Sequence, residues 1–592
     1  MDLCQQNEVW AILRNQFAVR LRRKNKSGRK ERGSGMKKID FPVGISDFSK
    51  IRENEYYYID KTGLICEVLK NPGTEVTLIT RPRRFGKTLG MSMLAEFFDI
   101  EKDSRKIFQG LEISNHEKLC HAWQNQRPTV FLTFKNVDGL SFDSAYGQLK
   151  YEIGRLYEEY AYLLDGEHIS DNERQIYERI RKQAAGEVEV TRSLQLLLQL
   201  MNKYYGKQAI LLLDEYDVPL AKASSHGYYE QMLEVIKAMM TTALKDNAAL
   251  CFSIVTGCLR ISKESIFTGT NNFVLDTITD ARLDEYFGFT QKDVDKILSD
   301  AGVTEYAGQV KEWYDGYHFG ECDVYCPWDV MNYFQELQHN PDAKPASYWK
   351  NTSDNAVIRS FIDHAGSNIT EKFETLLGGG SIVQKVDEGI TYDYLNSSEE
   401  NLWSLLYLTG YLTKAKDDEY SGTLPEETYA LKIPNVEIRE IFETTIKRWF
   451  EDSAKIWDRK HLFDAVWEGD SKEITLEMSK LLRKTISYHD YREDFYHAFL
   501  AGIFAGAGYM VESNKEHGEG RSDVVVYDSM NARVAIFEAK YSKSREEMER
   551  DCNRAIEQIN KKMYASEYED DYDEILCYGI SFFKKRCFVK KK

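Results

Sequence analysis

The 592-residue chain is 42% apolar and 13% aromatic, enough to build several cores, which excludes a disordered protein. Its 78 basic against 95 acidic residues give a formal charge of −17, so bulk attraction to a polyanion is excluded and any contact with nucleic acid must come from a local patch. Ten cysteines without paired metal-type spacing fit reduced thiols in a cytoplasm. No apolar run reaches the roughly 18 residues of a membrane span, so no membrane partner is expected.

Residues 1–35 hold a short apolar stretch, Val9 to Val19, followed by RLRRKNKSGRKERGSG. A signal peptide carries its charges before the apolar part, so this segment reads as a disordered basic extension, with Met36 as an alternative start.

Residues 36–286 read as a phosphate-loop domain. The apolar run Val76–Thr80 leads through a basic turn to Gly86-Lys87-Thr88, which opens an amphipathic helix. Free backbone N–H groups at that helix start face phosphates, Lys87 supplies a point charge, and the Thr88 hydroxyl can ligate Mg²⁺. In the pattern G-x-x-x-x-G-K-[ST] the first glycine position is Arg81, so RPRRFGKT lacks a residue that enters positive φ cheaply.

Three more β-type runs follow, Thr129–Phe134, Ala209–Leu213 and Leu250–Thr256, separated by helical text such as SLQLLLQLMNKYY. That alternation specifies a parallel sheet covered on both faces. The third run ends in Asp214-Glu215, at the sheet edge where the phosphate loop also lies. Apolar strands ending in acids are common, but this one follows a GKT in the right order. Asp214 is expected to hold Mg²⁺ through water and Glu215 to polarise the attacking water. Thr256 ends the fourth run and is expected to orient that water, with Arg260 sensing the γ-phosphate.

Residues 287–348 read as a small helical lid. Thr290 is its expected N-cap, and the aromatic stretch WYDGYHFG, with Trp313, Tyr314, Tyr317 and His318, reads as core packing rather than a base-stacking surface. Residues 349–475 read as a helical or winged-helix-like connector.

A new α/β unit is expected over 476–592. DVVVYD and RVAIFEAK are strand-like runs around a four-residue turn, Ser529 to Ala532. If Asp528 pairs with Arg533, Asp523 falls opposite Glu538, with β-carbons about 5 Å apart on one face. Two such carboxylates can share a hard divalent cation. Lys540 shares the face of Glu538, while Ala539 points away. Arg521 and Lys515 are positioned to contact phosphate.

RPRRFGKT, LLLDEYDVPL, VTGCLRISKESIF and WYDGYHFGECDVYCPWDVMNYF resemble a family of bacterial AAA-ATPase-like proteins with a C-terminal PD-(D/E)XK nuclease-type domain. The resemblance covers nearly everything from about Phe41 to the end. It implies an α/β architecture: an ASCE/AAA-like P-loop parallel sheet, a connector, and a restriction-endonuclease-like domain. RPRR is the usual text of that family, and Arg84, Gly86, Lys87, Thr88, Thr256 and Arg260 become the ATP-binding set, with Mg²⁺ at Thr88 and Asp214. D…E-x-K implies a second Mg²⁺ at Asp523 and Glu538, with Lys540 orienting or helping to deprotonate water; Ser522 replaces the usual proline. Glu493 matches the acidic helix position of such folds and a further metal ligand, and Gln558 matches their helical glutamine. The implied function is an ATPase whose nucleotide gates engagement or cleavage of DNA. The alternatives are a nucleotide-dependent switch or interaction scaffold with a non-cleaving C-terminus, and an ATPase motor with a structural one. A second copy of the chain or another protein stays open as a partner.

Overall fold

Five buried residues, Val76–Thr80, form β1, and the other three apolar runs become β2 (Thr129–Thr133), β3 (Ala209–Asp214) and β4 (Leu250–Gly257). The computed structural model describes residues 39–592 apart from 72, 167–168, 261–272, 350–371, 374, 391–398, 417–423, 426, 456–459, 486–492, 506, 518–519 and 584–585. The basic extension read at 1–35 lies outside the described residues. A fifth strand, β5 (Phe273–Asp276), pairs with β1 and completes an all-parallel sheet of order β2-β3-β4-β1-β5. Four residues are too short a run to have stood out in the sequence. Because β4 lies between β1 and β3, the phosphate loop and the acidic pair face each other across one strand, as in an ASCE-type sheet.

Period-two alternation sends Ile210 and Leu212 into one apolar cluster and Leu211 and Leu213 into another, so both faces of the sheet are covered. Gly86, in the left-handed region at φ 88°, turns the chain into α1 (Lys87–Phe98).

The missing first glycine has a structural explanation. Besides Gly86, a left-handed position in this loop falls at Arg84, φ 74°, and not at Arg81. Arg81 is fully buried and its guanidinium meets Asp276 Oδ1 at the end of β5 at 2.7 Å. It also donates to the carbonyls of Thr80 and Asp276, at 2.9 and 3.0 Å, while the rings of Phe287 and Phe319 flank it. Arg282 takes the other Asp276 oxygen at 3.0 Å. One carboxylate thus ties the start of the phosphate loop to the edge strand and to the turn beyond it.

The lid begins with β6 (Phe289–Thr290) and α2 (Gln291–Ala301), where Thr290 and Asp293 form a reciprocal capping box, as the sequence suggested. β7 (Tyr317–Phe319) and β8 (Cys322–Tyr325) follow, with order β6-β8-β7, and then α3 (Pro327–His339). Tyr314 and Tyr317 are buried core residues, and His318 bonds Asp323 at 2.9 Å. The connector is not purely helical: β9 (Ile382–Lys385), β10 (Thr413–Lys414) and β11 (Thr428–Lys432) form an antiparallel sheet of order β10-β11-β9. Its Trp349, Trp403, Tyr411 and Phe442 share one apolar cluster with Ile79 and Phe85 of the phosphate-loop unit. α4 (Val436–Lys455) closes it.

In the C-terminal region α5 (Lys460–Glu468), α6 (Ser471–Thr485) and α7 (Glu493–Ala505) precede β12 (Met510–His517), β13 (Gly520–Asp528) and β14 (Arg533–Tyr541). α8 (Met548–Lys562), β15 (Glu574–Phe583) and β16 (Arg586–Lys591) complete a sheet in sequential order, parallel only between β14 and β15. Leu462 and Val466, read from sequence as connector, lie in the core beneath this sheet with Val524 and Phe537. Among the described residues no helix is long and apolar enough to cross a membrane.

Removing one partner of a buried ion pair leaves an uncompensated charge, which costs about 3–5 kcal/mol. Asp276→Ala should therefore lower the urea midpoint of the N-terminal transition by an amount equivalent to that range. A loss under about 1 kcal/mol would show that Arg81 is held by its carbonyl bonds alone.

Candidate functional site

A cavity of about 500 Å³ opens over the phosphate loop, walled by Gly86, Lys87, Thr88 and Glu215 on one side and by Tyr58 and Trp328 on the other. An added Cβ at Gly86 would meet nothing within 4 Å, so the cradle is open above the loop. Lys87 is buried and folds back onto the loop, its ammonium donating to the carbonyls of Arg81 and Pro82 at 2.8 and 2.9 Å and lying 3.7 Å from Cys258 Sγ. Those carbonyls hold the charge where a phosphate would compete for it.

Asp214 sits fully buried at the end of β3. Thr88 donates to its Oδ2 at 2.9 Å, Thr133 to the same oxygen at 3.3 Å, and Thr256 to Oδ1 at 2.7 Å. Burial raises the carboxyl pKa, and the hydroxyl bonds and Lys87 pull it back down. Glu215, in the left-handed region at φ 52°, turns its side chain toward the cavity, with its pKa also raised by burial. A hydroxyl and a carboxylate within bonding distance are a hard-oxygen set that suits Mg²⁺.

The remaining expected nucleotide ligands divide. Arg84 lines the cavity with its guanidinium 4.1 Å over the Trp328 ring of α3. Thr256 spends its hydroxyl on Asp214. Arg260 is not brought to this cavity: it lines a separate one of about 360 Å³ with Lys385, Asp387 and Tyr429. The cause is Asp217, which the sequence reading passed over. Its Oδ2 accepts the amides of Cys258 and Leu259 at 2.9 and 3.0 Å and turns the chain as it leaves β4.

In the C-terminal sheet, β13 and β14 pair from Asp528↔Arg533 through Val524↔Phe537, the register read from the sequence. The pairing ends one step short of Asp523 and Glu538, whose carboxyls are close enough for the charge of Asp523 to act on Glu538. Asp523 Oδ2 accepts the Ala539 amide at 2.7 Å, and Lys540 Nζ donates to Glu538 Oε1 and to the Ala539 carbonyl, both at 3.0 Å. His497 of α7, missed in the sequence, places Nε2 3.2 Å from Asp523 Oδ2. It follows Glu493 by four residues, one helical turn, and that spacing was the available signal. Glu493 opens α7, and its side chain lies outside the described residues. Gln558 of α8 reaches Tyr564 at 3.5 Å, and Tyr564 faces the charges of Glu538 and Asp523. Lys515 and Arg521 are on β12 and β13, opposite Ser522 and Glu516.

Residues 42–267 match the family described as predicted AAA-ATPase, and residues 491–592 match the PD-(D/E)XK nuclease superfamily. The chain carries an AAA-ATPase-like domain and a PD-(D/E)XK nuclease domain. It is also similar to an uncharacterized protein in the vnfD 5' region of Azotobacter chroococcum mcd 1, 25% identical over 563 residues that span 92% of this chain and 97% of that one.

Within the PD-(D/E)XK domain, Glu538 is completely buried, and its Oε2 has no hydrogen-bond partner. An orphaned buried carboxylate oxygen beside a second carboxylate suits a metal ion, which is the fit the fold implies. Among the described residues no three His, Cys, Asp or Glu side chains are gathered closely enough to hold an ion alone. A metal held here would need further oxygen ligands beyond Asp523 and Glu538. Burial, then the charge of Asp523, push the Glu538 carboxyl up to about 7, against the pull of Lys540. The folded protein thus holds this proton more tightly than the unfolded chain. Without metal, the group's stabilising contribution is full below its unfolded pKa of about 4.3 and is lost as pH rises toward 7.

Metal requires the ionised form, so the opposite trend applies to binding. Calorimetric titration with Mn²⁺ should give an affinity at pH 6 about tenfold below that at pH 8. Glu538→Gln should abolish both the tight site and its pH dependence. Equal affinities at the two pH values would mean that Glu538 is ionised before metal arrives.

Proposed function

We propose that this is a cytoplasmic bacterial enzyme in which ATP bound with Mg²⁺ at the phosphate loop governs Mg²⁺-dependent cleavage of DNA by the PD-(D/E)XK domain. Lys87 would hold the β- and γ-phosphates, Thr88 and Asp214 the Mg²⁺, and Glu215 the attacking water. Asp523 and Glu538 would hold the second metal, and Lys540 would orient water against the scissile phosphate. The metal supplies charge neutralisation and a more acidic bound water.

The observation that carries the coupling is α4. Its first turn holds Glu437, fully buried against Asp329 of α3, the neighbour of Trp328 on which Arg84 stacks. Burial raises both carboxyls; the charge of Asp329 raises Glu437 further, while the bond to Glu437, Cys326 and the charge of Arg84 pull Asp329 back down, so the pair retains a proton on the Glu437 side. Glu437 Oε1 also accepts the Trp349 amide at 2.8 Å. α4 also packs on α7, the helix that bears Glu493 and His497. One helix therefore touches the lid of the ATP cavity and the wall of the nuclease centre, and nucleotide must bind its two positions unequally to move it.

The decisive experiment is cleavage of single- and double-stranded DNA with Mg²⁺ or Mn²⁺, with and without ATP, for wild type, Lys87→Ala and Glu538→Ala. Cleavage should vanish in Glu538→Ala and lose its response to ATP in Lys87→Ala. DNA binding without cleavage under either ion would instead support the nucleotide-driven switch. Glu437→Ala should leave ATP hydrolysis in place and make cleavage indifferent to ATP. Glu437→Gln keeps a hydrogen-bond donor toward Asp329 and should stay responsive. An ATP response that survives Glu437→Ala would rule out α4 as the link.

A further inference from the structure

Lys135 is a cation on the wall of the ATP cavity for which the sequence reading had no role. It follows β2, which β3 and β4 separate from β1 and its phosphate loop in the sheet, yet the hydrogen bonds draw it close. The Lys135 amide donates to Thr133 Oγ1 at 3.3 Å, and that hydroxyl donates to Asp214 Oδ2 at 3.3 Å. The same Asp214 oxygen accepts from Thr88 at 2.9 Å. A second tie, the Phe134 amide to the Asp214 carbonyl at 2.9 Å, fixes the end of β2 against the end of β3. Two hydrogen bonds therefore separate the Lys135 backbone from the oxygen that marks the Mg²⁺ position, within the span of a lysine side chain.

The other lysines of this wall are engaged. Lys61 pairs with Asp293 at 2.7 Å, Lys222 pairs with Asp138 at 3.2 Å, and Lys87 is bonded to its own loop. Arg84 lies over Trp328. Lys135 is exposed to the cavity and forms no ion pair among the described residues.

We propose that Lys135 is a catalytic residue of the ATP site, its ammonium meeting the γ-phosphate oxygens from the β2 side while Lys87 meets them from the loop. This rests on the ATPase reading given above. In the step it assists, the water oxygen bonds to the γ-phosphorus and the bond from that phosphorus to the bridging oxygen breaks. The electron pair of the broken bond stays on the ADP product, and the water proton passes to Glu215. Charge developing on the γ-phosphoryl oxygens and the bridging oxygen is what a second cation stabilises. A contact to the γ-phosphate alone also discriminates ATP from ADP.

The test compares wild type with Lys135→Ala and Lys135→Arg, measuring Mg²⁺-ATP turnover and the separate affinities for ATP and ADP. In Lys135→Ala, kcat should fall at least tenfold and ATP affinity several-fold, with ADP affinity unchanged within about twofold; Lys135→Arg should recover part of the rate. Wild-type turnover in Lys135→Ala, or equal losses of ATP and ADP affinity, would overturn the proposal and leave the ATPase reading standing. If the wild type binds without turning over, the ATP-against-ADP split still decides the matter. Wild-type protein that binds neither nucleotide would remove the reading and the proposal together.

Discussion

Arg81 and Asp276 form a buried ion pair at the seam between the phosphate loop and the edge strand β5, and the nucleotide side of the molecule is assembled around it. A guanidinium completely removed from water is stable only with its charge matched and most of its donors engaged. Asp276 supplies the match, the Thr80 and Asp276 carbonyls take further bonds, and aromatic faces close the remaining sides. The loop is thereby anchored by a side chain where related loops rely on a glycine's backbone freedom. The left-handed geometry is deferred to Arg84, whose guanidinium is thrown toward the lid and comes to rest on Trp328.

From that anchor the two centres are built by contrasting means. On the phosphate-loop side, hydroxyls from β2, β4 and α1 converge on one buried carboxylate, so strands distant in sequence are fastened through Asp214. On the nuclease side a single hairpin brings Asp523, Glu538 and Lys540 together, with His497 arriving from α7. The first arrangement depends on the order of the whole sheet. The second depends on local register, set by the turn at 529–532.

That difference explains what could be read from the residues alone. The hairpin centre was legible because period two and one turn determine which side chains share a face. GKT and the acids closing β3 were legible because each motif is local and their order is informative. Arg81 was not, since its partner lies 195 residues further on in a strand of four residues. Arg260 was misplaced because its path depends on Asp217 capturing two amides beyond β4. His497 went unnoticed because a histidine on an apolar helix gains meaning only when the facing strand is known. The strands of the connector were hidden by their shortness among helical text.

The apolar cluster shared by the phosphate-loop unit and the connector has a consequence for where the chain can be divided. The family match ends at residue 267, before β5 and before Asp276, whereas the cluster runs on to Phe442. A fragment cut at the motif boundary would leave Arg81 without its counter-charge and bare the faces that Trp349 and Trp403 cover. The smallest piece that carries the phosphate loop with an intact interior extends through the start of α4. The unit in which this protein folds, and in which its parts can be exchanged with those of relatives, is therefore considerably longer than the stretch that bears the recognisable motifs.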